Sequence, residues 1–308
     1  MTSPGWTADT IPDLTGLTAV VTGANSGLGF HTALELARYG ATVVMACRDL
    51  RKGEAALARM KHELGRPALE LRRLDLADLA SVRAFAVEMR TAHPRLDILV
   101  NNAGIMAIPR HVTPDGFERQ LGVNHLGHFA LTGLLFSCLT RAGSSRVVTV
   151  TSASHSVGRI DFDDLMSERR YGRWRAYAQS KLANLLFAFE LQRRAEHTGL
   201  DLVSAASHPG YAATNLQHPW SQTRPPGWLL RTAGDLAAQP AFAGALPSLY
   251  AATMPDVRSG DFFGPRWFGL RGSPTRVRAA ARAYDSATAE ALWKRSAELT
   301  GVDFAELG

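Results

Sequence analysis

Cysteine is nearly absent from the 308 residues, with Cys47 and Cys138 the only two. They show neither disulfide-scaffold nor metal-ligand spacing, which excludes a stapled small fold, gives no metal site, and fits a reducing, cytoplasmic setting. Long apolar runs are missing as well. No stretch approaches the roughly 20 uninterrupted apolar residues of a spanning helix, so no integral membrane segment is expected. The opening residues carry no basic-then-apolar signal pattern. Internal repeats and low-complexity tracts are not visible. Charge of one sign is not concentrated either: 34 Lys and Arg against 28 Asp and Glu leave a net charge of +6. The basic residues are scattered, the densest run being Arg169-Arg170-Tyr171-Gly172-Arg173-Trp174-Arg175. Without a zinc-finger or single-strand-binding signature, this argues against a nucleic-acid partner. The arginines suit a solvated surface, and some can attract an anionic cofactor.

What is present is 46% hydrophobic content, enough for a full core, and nothing that forces a second domain on residues 1–308. Strand-like and helix-like runs alternate through the first two thirds. That pattern predicts an α/β, Rossmann-type doubly wound parallel sheet of about seven strands with helices on both faces. The strands fall near Thr18–Thr22, Thr42–Ala46, Leu69–Leu74, Ile98–Asn101, Val147–Val150, Leu202–Ala206 and Asp261–Phe263. Long helices are predicted from Phe117 to Arg141 and from Trp174 to His197. Residues 1–13 read as an N-terminal extension, about 211–245 as a substrate lid, and about 276–308 as a C-terminal helical extension.

The β-branched run Thr18 to Thr22 leads into Gly23-Ala-Asn25-Ser26-Gly27-Leu28-Gly29 and then into a helical pattern. Glycines between a strand and a helix let the backbone turn tightly and approach a ligand, and the helix N-terminus offers N–H groups to an anion. The next strand ends in Cys47 and Arg48, with Asp49 following. An NAD-selective site usually has a carboxylate there for the ribose 2′-hydroxyl, whereas a guanidinium suits a 2′-phosphate. NADP(H) is therefore favoured over NAD(H). The competing reading has Arg48 cap the sheet edge while Asp49 turns in. Further along, Tyr177 and Lys181 stand four apart in a helical stretch and so share a face. An ammonium beside a phenol favours the phenolate, which equips the tyrosine to exchange a proton with an alcohol or ketone.

Taken in order, Thr22 to Gly29, Asn101-Asn102-Ala103-Gly104 and Tyr177 to Lys181 resemble the TGxxxGxG, NNAG and YxxxK motifs of the short-chain dehydrogenase/reductase family. The resemblance runs from about Leu14 to Gly210 with every motif in order, and more loosely to the C-terminus. Ala46-Cys-Arg-Asp49, Asn124-His-Leu-Gly-His-Phe129, the long insert after Ser152 and Ser180-Lys-Leu-Ala-Asn184 look most like the branch of retinol dehydrogenases, WW-domain oxidoreductase and protochlorophyllide reductases. That resemblance implies an NADP-dependent oxidoreductase acting on a small apolar carbonyl or alcohol. It implies a catalytic set of Asn124, Ser152, Tyr177 and Lys181, with Ser154 as the fallback for Ser152. Asn124 would hold the water through which protons reach Lys181. Cofactor contacts carry over to Gly23, Asn25, Ser26, Gly27, Leu28, Gly29, Arg48, Asp75, Leu76, Asn101, Gly104, Tyr177, Lys181, Pro209, Ala212 and Thr214. Asp75 is equally open to being a helix N-cap.

Other residues read as structural. His125 and His128 lie three apart among Leu and Phe with no acid or cysteine cluster, His155 follows the catalytic strand, where it can also line the pocket, and His208 ends another. The lid carries Trp220, Pro225, Pro226, Trp228, Leu229 and Leu230, and the insert carries Phe162, Leu165, Tyr171 and Trp174. Both sets suit either an apolar substrate wall or core packing. A different class of function, a catalytically silent NADP(H)-binding regulator, is the alternative. The intact Asn124, Ser152, Tyr177 and Lys181 speak against it. Monomer and homodimer both remain open, since the long helices form the family's frequent dimer surface and the C-terminal helix with Leu292 and Trp293 is placed to cover it.

Overall fold

The computed structural model of the chain describes residues 5–210, 240–267 and 269–307. Eight strands form one sheet: β1 (Thr18–Thr22), β2 (Thr42–Cys47), β3 (Leu69–Arg73), β4 (Ile98–Asn101), β5 (Ser145–Val150), β6 (Leu202–Ser207), β7 (Phe262–Trp267) and β8 (Arg271–Arg276). Their order is β3-β2-β1-β4-β5-β6-β7-β8. All neighbours pair in parallel except β7 and β8, which are antiparallel. Chain order reverses between β1 and β4, and that gap at the carboxyl ends of the strands is where an open α/β sheet takes its ligand.

Helices cover both faces: α1 (Gly27–Arg38), α2 (Leu50–Leu64), α3 (Leu79–Ala92), the short α4 (Arg119–Leu121), α5 (Gly127–Leu134), α6 (Phe136–Thr140), α7 (Arg173–His197), α8 (Ala241–Thr253) and α9 (Ser286–Thr300). Alternate strand residues enter opposite layers. Val20, Val44, Leu99 and Val147 pack with Phe85, Phe129 and Phe136 on one side. Val21, Val43, Met45 and Val148 pack with Phe30, Leu34 and Leu249 on the other. Burial on both faces explains why these strands read as near-continuous apolar runs.

The eighth strand adds to the seven expected. Its sequence, Arg-Gly-Ser-Pro-Thr-Arg, has no apolar alternation, and Pro274 is tolerated because the strand lies at the sheet edge. It also shortens the expected C-terminal helix, which starts at Ser286 and not near 276. Asp285 caps it by accepting the N–H groups of Ala287 and Thr288. The predicted Phe117–Arg141 helix is broken. Between α4 and α5 the backbone widens into a π-turn, Gly122–Leu126, where Gly127 N–H reaches back five residues to Gly122 O. Gly127 is held so close to Leu76 O that a Cβ would collide with it. Among the described residues no helix is long and apolar enough to cross a membrane. The expected lid at about 211–245 lies outside the described residues up to 239, and α8 occupies Ala241 onward.

Helix α9 is docked through aromatics. Trp293 stacks on Phe187 of α7 with centroids 5.7 Å apart, meets Phe129 of α5 edge-on at 5.1 Å and Phe304 at 4.6 Å, and lies under the Arg194 guanidinium at 4.7 Å. Trp293→Ala is expected to cost about 3–5 kcal/mol of unfolding free energy by urea denaturation. A loss below about 1 kcal/mol, the usual range for surface changes, would show that α9 merely rests on the surface.

Candidate active site

The glycine loop bridges β1 and α1. Gly23 and Gly27 hold φ of +67° and +55°, which a side chain resists. Gly29 is demanded by space, since a Cβ there would run into Gly23 O and the Asn102 amide. A bond from Gly23 N–H to Ala46 O at 2.8 Å ties the loop to β2. Across the sheet gap, Thr22 Oγ1 accepts the N–H groups of Asn102 and Ala103, each at 2.9 Å, and Asn102 Nδ2 donates to Thr22 O at 2.7 Å. The result is a cavity of about 340 Å³ lined by Gly23, Asn25 to Gly29, Ala46, Arg48, Asp49, Lys52, Leu74 to Leu76, Asn102 to Ile105 and Val123. A loop of close-approach glycines, open helix N–H groups and a cationic far end fit the pyrophosphate and ribose of a dinucleotide.

The other residues converge beside Gly104. A Cβ on Gly104 would stand 3.3 Å from Asn124 Oδ1 and 3.4 Å from Lys181 Nζ. Lys181 and Tyr177 project from one face of α7, with Nζ 5.9 Å from the phenol ring centroid. Lys181 Nζ donates to Val150 O at 3.2 Å, at the end of β5. One residue beyond, Thr151 Oγ1 donates to Lys181 O at 2.6 Å, which pins α7 to the strand end. The Ser152 hydroxyl lies close enough to the Tyr177 phenol to pull its pKa down. Ser152 Oγ also receives Ser154 N–H at 3.2 Å, and its carbonyl bonds His155 Nδ1 at 2.7 Å. Ser152, and not the fallback Ser154, is the serine that acts on the phenol, and its hydroxyl also reaches Ser154 Oγ at 3.4 Å. Asn124 is fully engaged: Oδ1 accepts Ile105 N–H at 2.8 Å, and Nδ2 donates to Ile105 O at 3.0 Å and Ser180 Oγ at 2.9 Å.

Of the expected cofactor contacts, Gly23, Asn25, Ser26, Gly27, Leu28, Gly29, Arg48, Asp75, Leu76 and Gly104 line the cavity. Tyr177 and Lys181 are not among its lining residues, Lys181 reaching its edge at Gly104. Asn101 is not among them either: strand alternation turns its side chain into the core, where Nδ2 donates to Thr132 at 3.0 Å, and the neighbouring Asn102 lines the cavity. Pro209 follows β6 and is absent from the cavity wall, and Ala212 and Thr214 lie outside the described residues. Asp75 is not the cap of α3; Asp78 is, accepting Ala80 N–H. Three residues had no assigned place in the reading of the sequence. Lys52 lines the cavity from the first turn of α2. Ser180, three positions after Tyr177 and so one turn on, donates to Tyr177 O at 2.8 Å and joins it to Asn124. His128, read as bland, bonds Thr22 and the Asn124 carbonyl.

A doubly wound sheet with a glycine cradle at its switch point, and a Tyr, Lys, Ser and Asn cluster beside it, defines a dinucleotide-binding oxidoreductase class. The family profile described as short chain dehydrogenase matches residues 17–225. Human retinol dehydrogenase 13 is 43% identical over 304 residues, covering 96% of this chain and 86% of that protein. Human retinol dehydrogenase 12 is 42% identical over 291 residues, covering 94% and 88%. Among solved structures, an uncharacterized protein from Mycobacterium paratuberculosis is 48% identical with a TM-score of 0.81, covering 97% of this chain and 99% of that one. The chain belongs to the short-chain dehydrogenase/reductase family, whose members use NAD(P)(H).

The electrostatics of the cluster are set by burial. It raises the Tyr177 phenol, and the Ser152 hydroxyl works the other way. Burial alone pushes Lys181 from 10.5 down to about 8. The expected lowering of Tyr177 by Lys181 is therefore not the dominant effect here, because both groups share one dry site that disfavours either charge. A buried ammonium also weakens the fold. Between about 8 and 10.5 the unfolded chain binds the proton that folded Lys181 has lost, so this contribution to stability rises with pH. Below that window its full cost is present. Lys181→Met is expected to be more stable than the wild type at pH 7, with the gap closing from pH 8 to 10 in parallel urea titrations. A gap that stays constant, or a destabilised variant, would contradict it.

Proposed function

We propose that this oxidoreductase is NADP(H)-dependent and interconverts an apolar carbonyl compound and its alcohol, with Tyr177 as general acid and base. The observation that carries the reading is the junction of the dinucleotide cradle with Tyr177, Ser152, Lys181 and Asn124 across Gly104. When bound, the nicotinamide supplies or accepts the hydride at the substrate carbon. Tyr177 gives its proton to the carbonyl oxygen in reduction and takes it from the alcohol in oxidation. Ser152, placed beside the phenol, supports the same oxygen as charge develops on it. Lys181, with a pKa of about 8, is protonated at neutral pH and favours the phenolate once Tyr177 has given up its proton. Asn124 and Ser180 keep the turn facing Lys181 in register.

NADP(H) is supported by how the two candidates after β2 are used. The Asp49 carboxylate caps α2, accepting Lys52 N–H at 3.1 Å, while Arg48 is exposed at the cavity edge beside Lys52. Two cations at the cavity edge suit a 2′-phosphate, with Asp49 turned to the α2 N-terminus and 3.9 Å from Lys52 Nζ. An apolar substrate is supported by the insert. Leu165 is buried and Tyr171 is bound by Gln120 at 2.9 Å, but Phe162 and Trp174 stay 46% and 57% exposed. Trp174 meets the Tyr177 ring edge-on at 6.3 Å. The relatives named retinol dehydrogenase point the same way. Coverage of α7 and α5 by α9 favours the monomer over the homodimer.

Tyr177→Phe is expected to abolish turnover of apolar aldehydes and ketones while fluorescence titration shows NADPH binding within about twofold of wild type. A fully active variant would sink the assignment. Arg48→Gln is expected to weaken NADPH binding by about tenfold or more and leave NADH unchanged, the loss of one charge-assisted contact. Equal effects on the two cofactors would remove Arg48 from the phosphate site.

A further inference from the structure

His128 is buried one turn beyond Asn124, and its ring bonds two parts of the site described above. Nε2 stands 2.9 Å from Thr22 Oγ1, and Nδ1 stands 3.0 Å from the backbone oxygen of Asn124. The direction of each bond follows from counting protons. Thr22 Oγ1 accepts the Ala103 N–H and the Asn102 N–H at 2.9 Å, the latter shared with Val100 O at 2.9 Å, so both of its lone pairs face donors. The single hydroxyl proton of Thr22 then has His128 Nε2 at 2.9 Å or Val100 O at 3.4 Å, and the shorter contact is the hydrogen bond. Nε2 therefore accepts and carries no proton. Burial, with the charge of Lys181 adding to it, brings His128 down to about 4, so the ring is neutral at pH 7. Its one N–H must be on Nδ1, aimed at the Asn124 carbonyl.

That carbonyl lies in the π-turn, where the backbone is wider than an α-helix and frequently functional. We propose that His128 is a positioning residue, locked as the Nδ1–H tautomer by Thr22, which holds the Asn124 carbonyl and so couples the dinucleotide cradle to the proton-transfer turn beside Lys181. This rests on the reading of Tyr177 and Lys181 as the proton-transfer pair. The Asn124 side chain is anchored by Ile105 and Ser180, and the imidazole adds a hold on its backbone oxygen. The imidazole N–H occupies one lone pair of that oxygen and sets where the other points. Without it, the Thr22 hydroxyl can turn to Val100 O and the cradle is kept, but the carbonyl loses its side support.

Two amides separate the two edges of the ring. Asn at 128 places an N–H near the Nδ1 position and cannot reach Thr22, whereas Gln reaches the Nε2 position and leaves Nδ1 empty. His128→Asn is expected to keep at least about a third of the wild-type kcat, and His128→Gln to fall by about tenfold or more, with KM for NADPH within about threefold in both. Equal kcat values, or the reverse order, would overturn the proposal, because loss of packing alone does not rank the amides this way. A second measurement needs no turnover. In 15N-histidine NMR of the wild type, with the His128 signals assigned by their loss in His128→Asn, the expected state at pH 7 is a neutral ring protonated on Nδ1. A proton on Nε2, or a charged ring, would overturn it. If Tyr177→Phe were fully active the proposed chemistry would fail separately, and the tautomer measurement would still decide how Thr22, His128 and Asn124 are coupled.

Discussion

The site depends on one hydroxyl at the point where the sheet divides. Parallel strands β1 and β4 part at their carboxyl ends, and of the backbone N–H groups just past β4 the Asn102 N–H is shared with Val100 O at 2.9 Å while that of Ala103 has Thr22 as its partner. Thr22 Oγ1 accepts both, and Asn102 returns a bond to Thr22 O, so the two strand ends are clamped where they separate. Gly29 follows from this clamp, since its missing Cβ leaves the room that the Asn102 amide and Gly23 O occupy. The cradle is thus a consequence of satisfying two amides in a narrow space.

The residues beside the cradle are held in a state that the fold alone would not choose. Lys181 and Tyr177 are both buried with little to stabilise a charge on either. Burial therefore favours the uncharged form of each, with Ser152 working the other way on the phenol. The fold holds the pair through backbone atoms: Val150 O takes Lys181 Nζ, and Lys181 O takes Thr151 Oγ1, so β5 and α7 position each other. Ser180 then passes that position to Asn124, and the aromatic cluster around Trp293 fixes α5, α7 and α9 behind it.

Much of this was legible because it is local. The β1 range Thr18–Thr22 and the β4 range Ile98–Asn101 are those read from the apolar runs, since a strand buried on both faces writes its length directly. The YxxxK spacing fixed a shared helix face, and the glycine spacing fixed a turn. The direction of the Asn101 side chain was not legible because two adjacent asparagines differ only in which way a strand end points them, and Thr132, thirty-one positions later, settles that. Strand β8 was missed because it pairs through its backbone at an edge and carries no apolar pattern. His128 looked inert because its partners, Thr22 and Asn124, come from two separate elements.

By itself the sequence determined the sheet class, the cradle glycines and the i, i+4 presentation of Tyr177 and Lys181, all consequences of covalent geometry and short-range periodicity. Only the tertiary structure decided that Asn102 faces the cavity, that the helix around Asn124 opens into a π-turn, and that Lys181 is buried enough to lose affinity for its proton. Each of those depends on groups far apart in the chain competing for the same small volume, and no local pattern records the outcome of that competition.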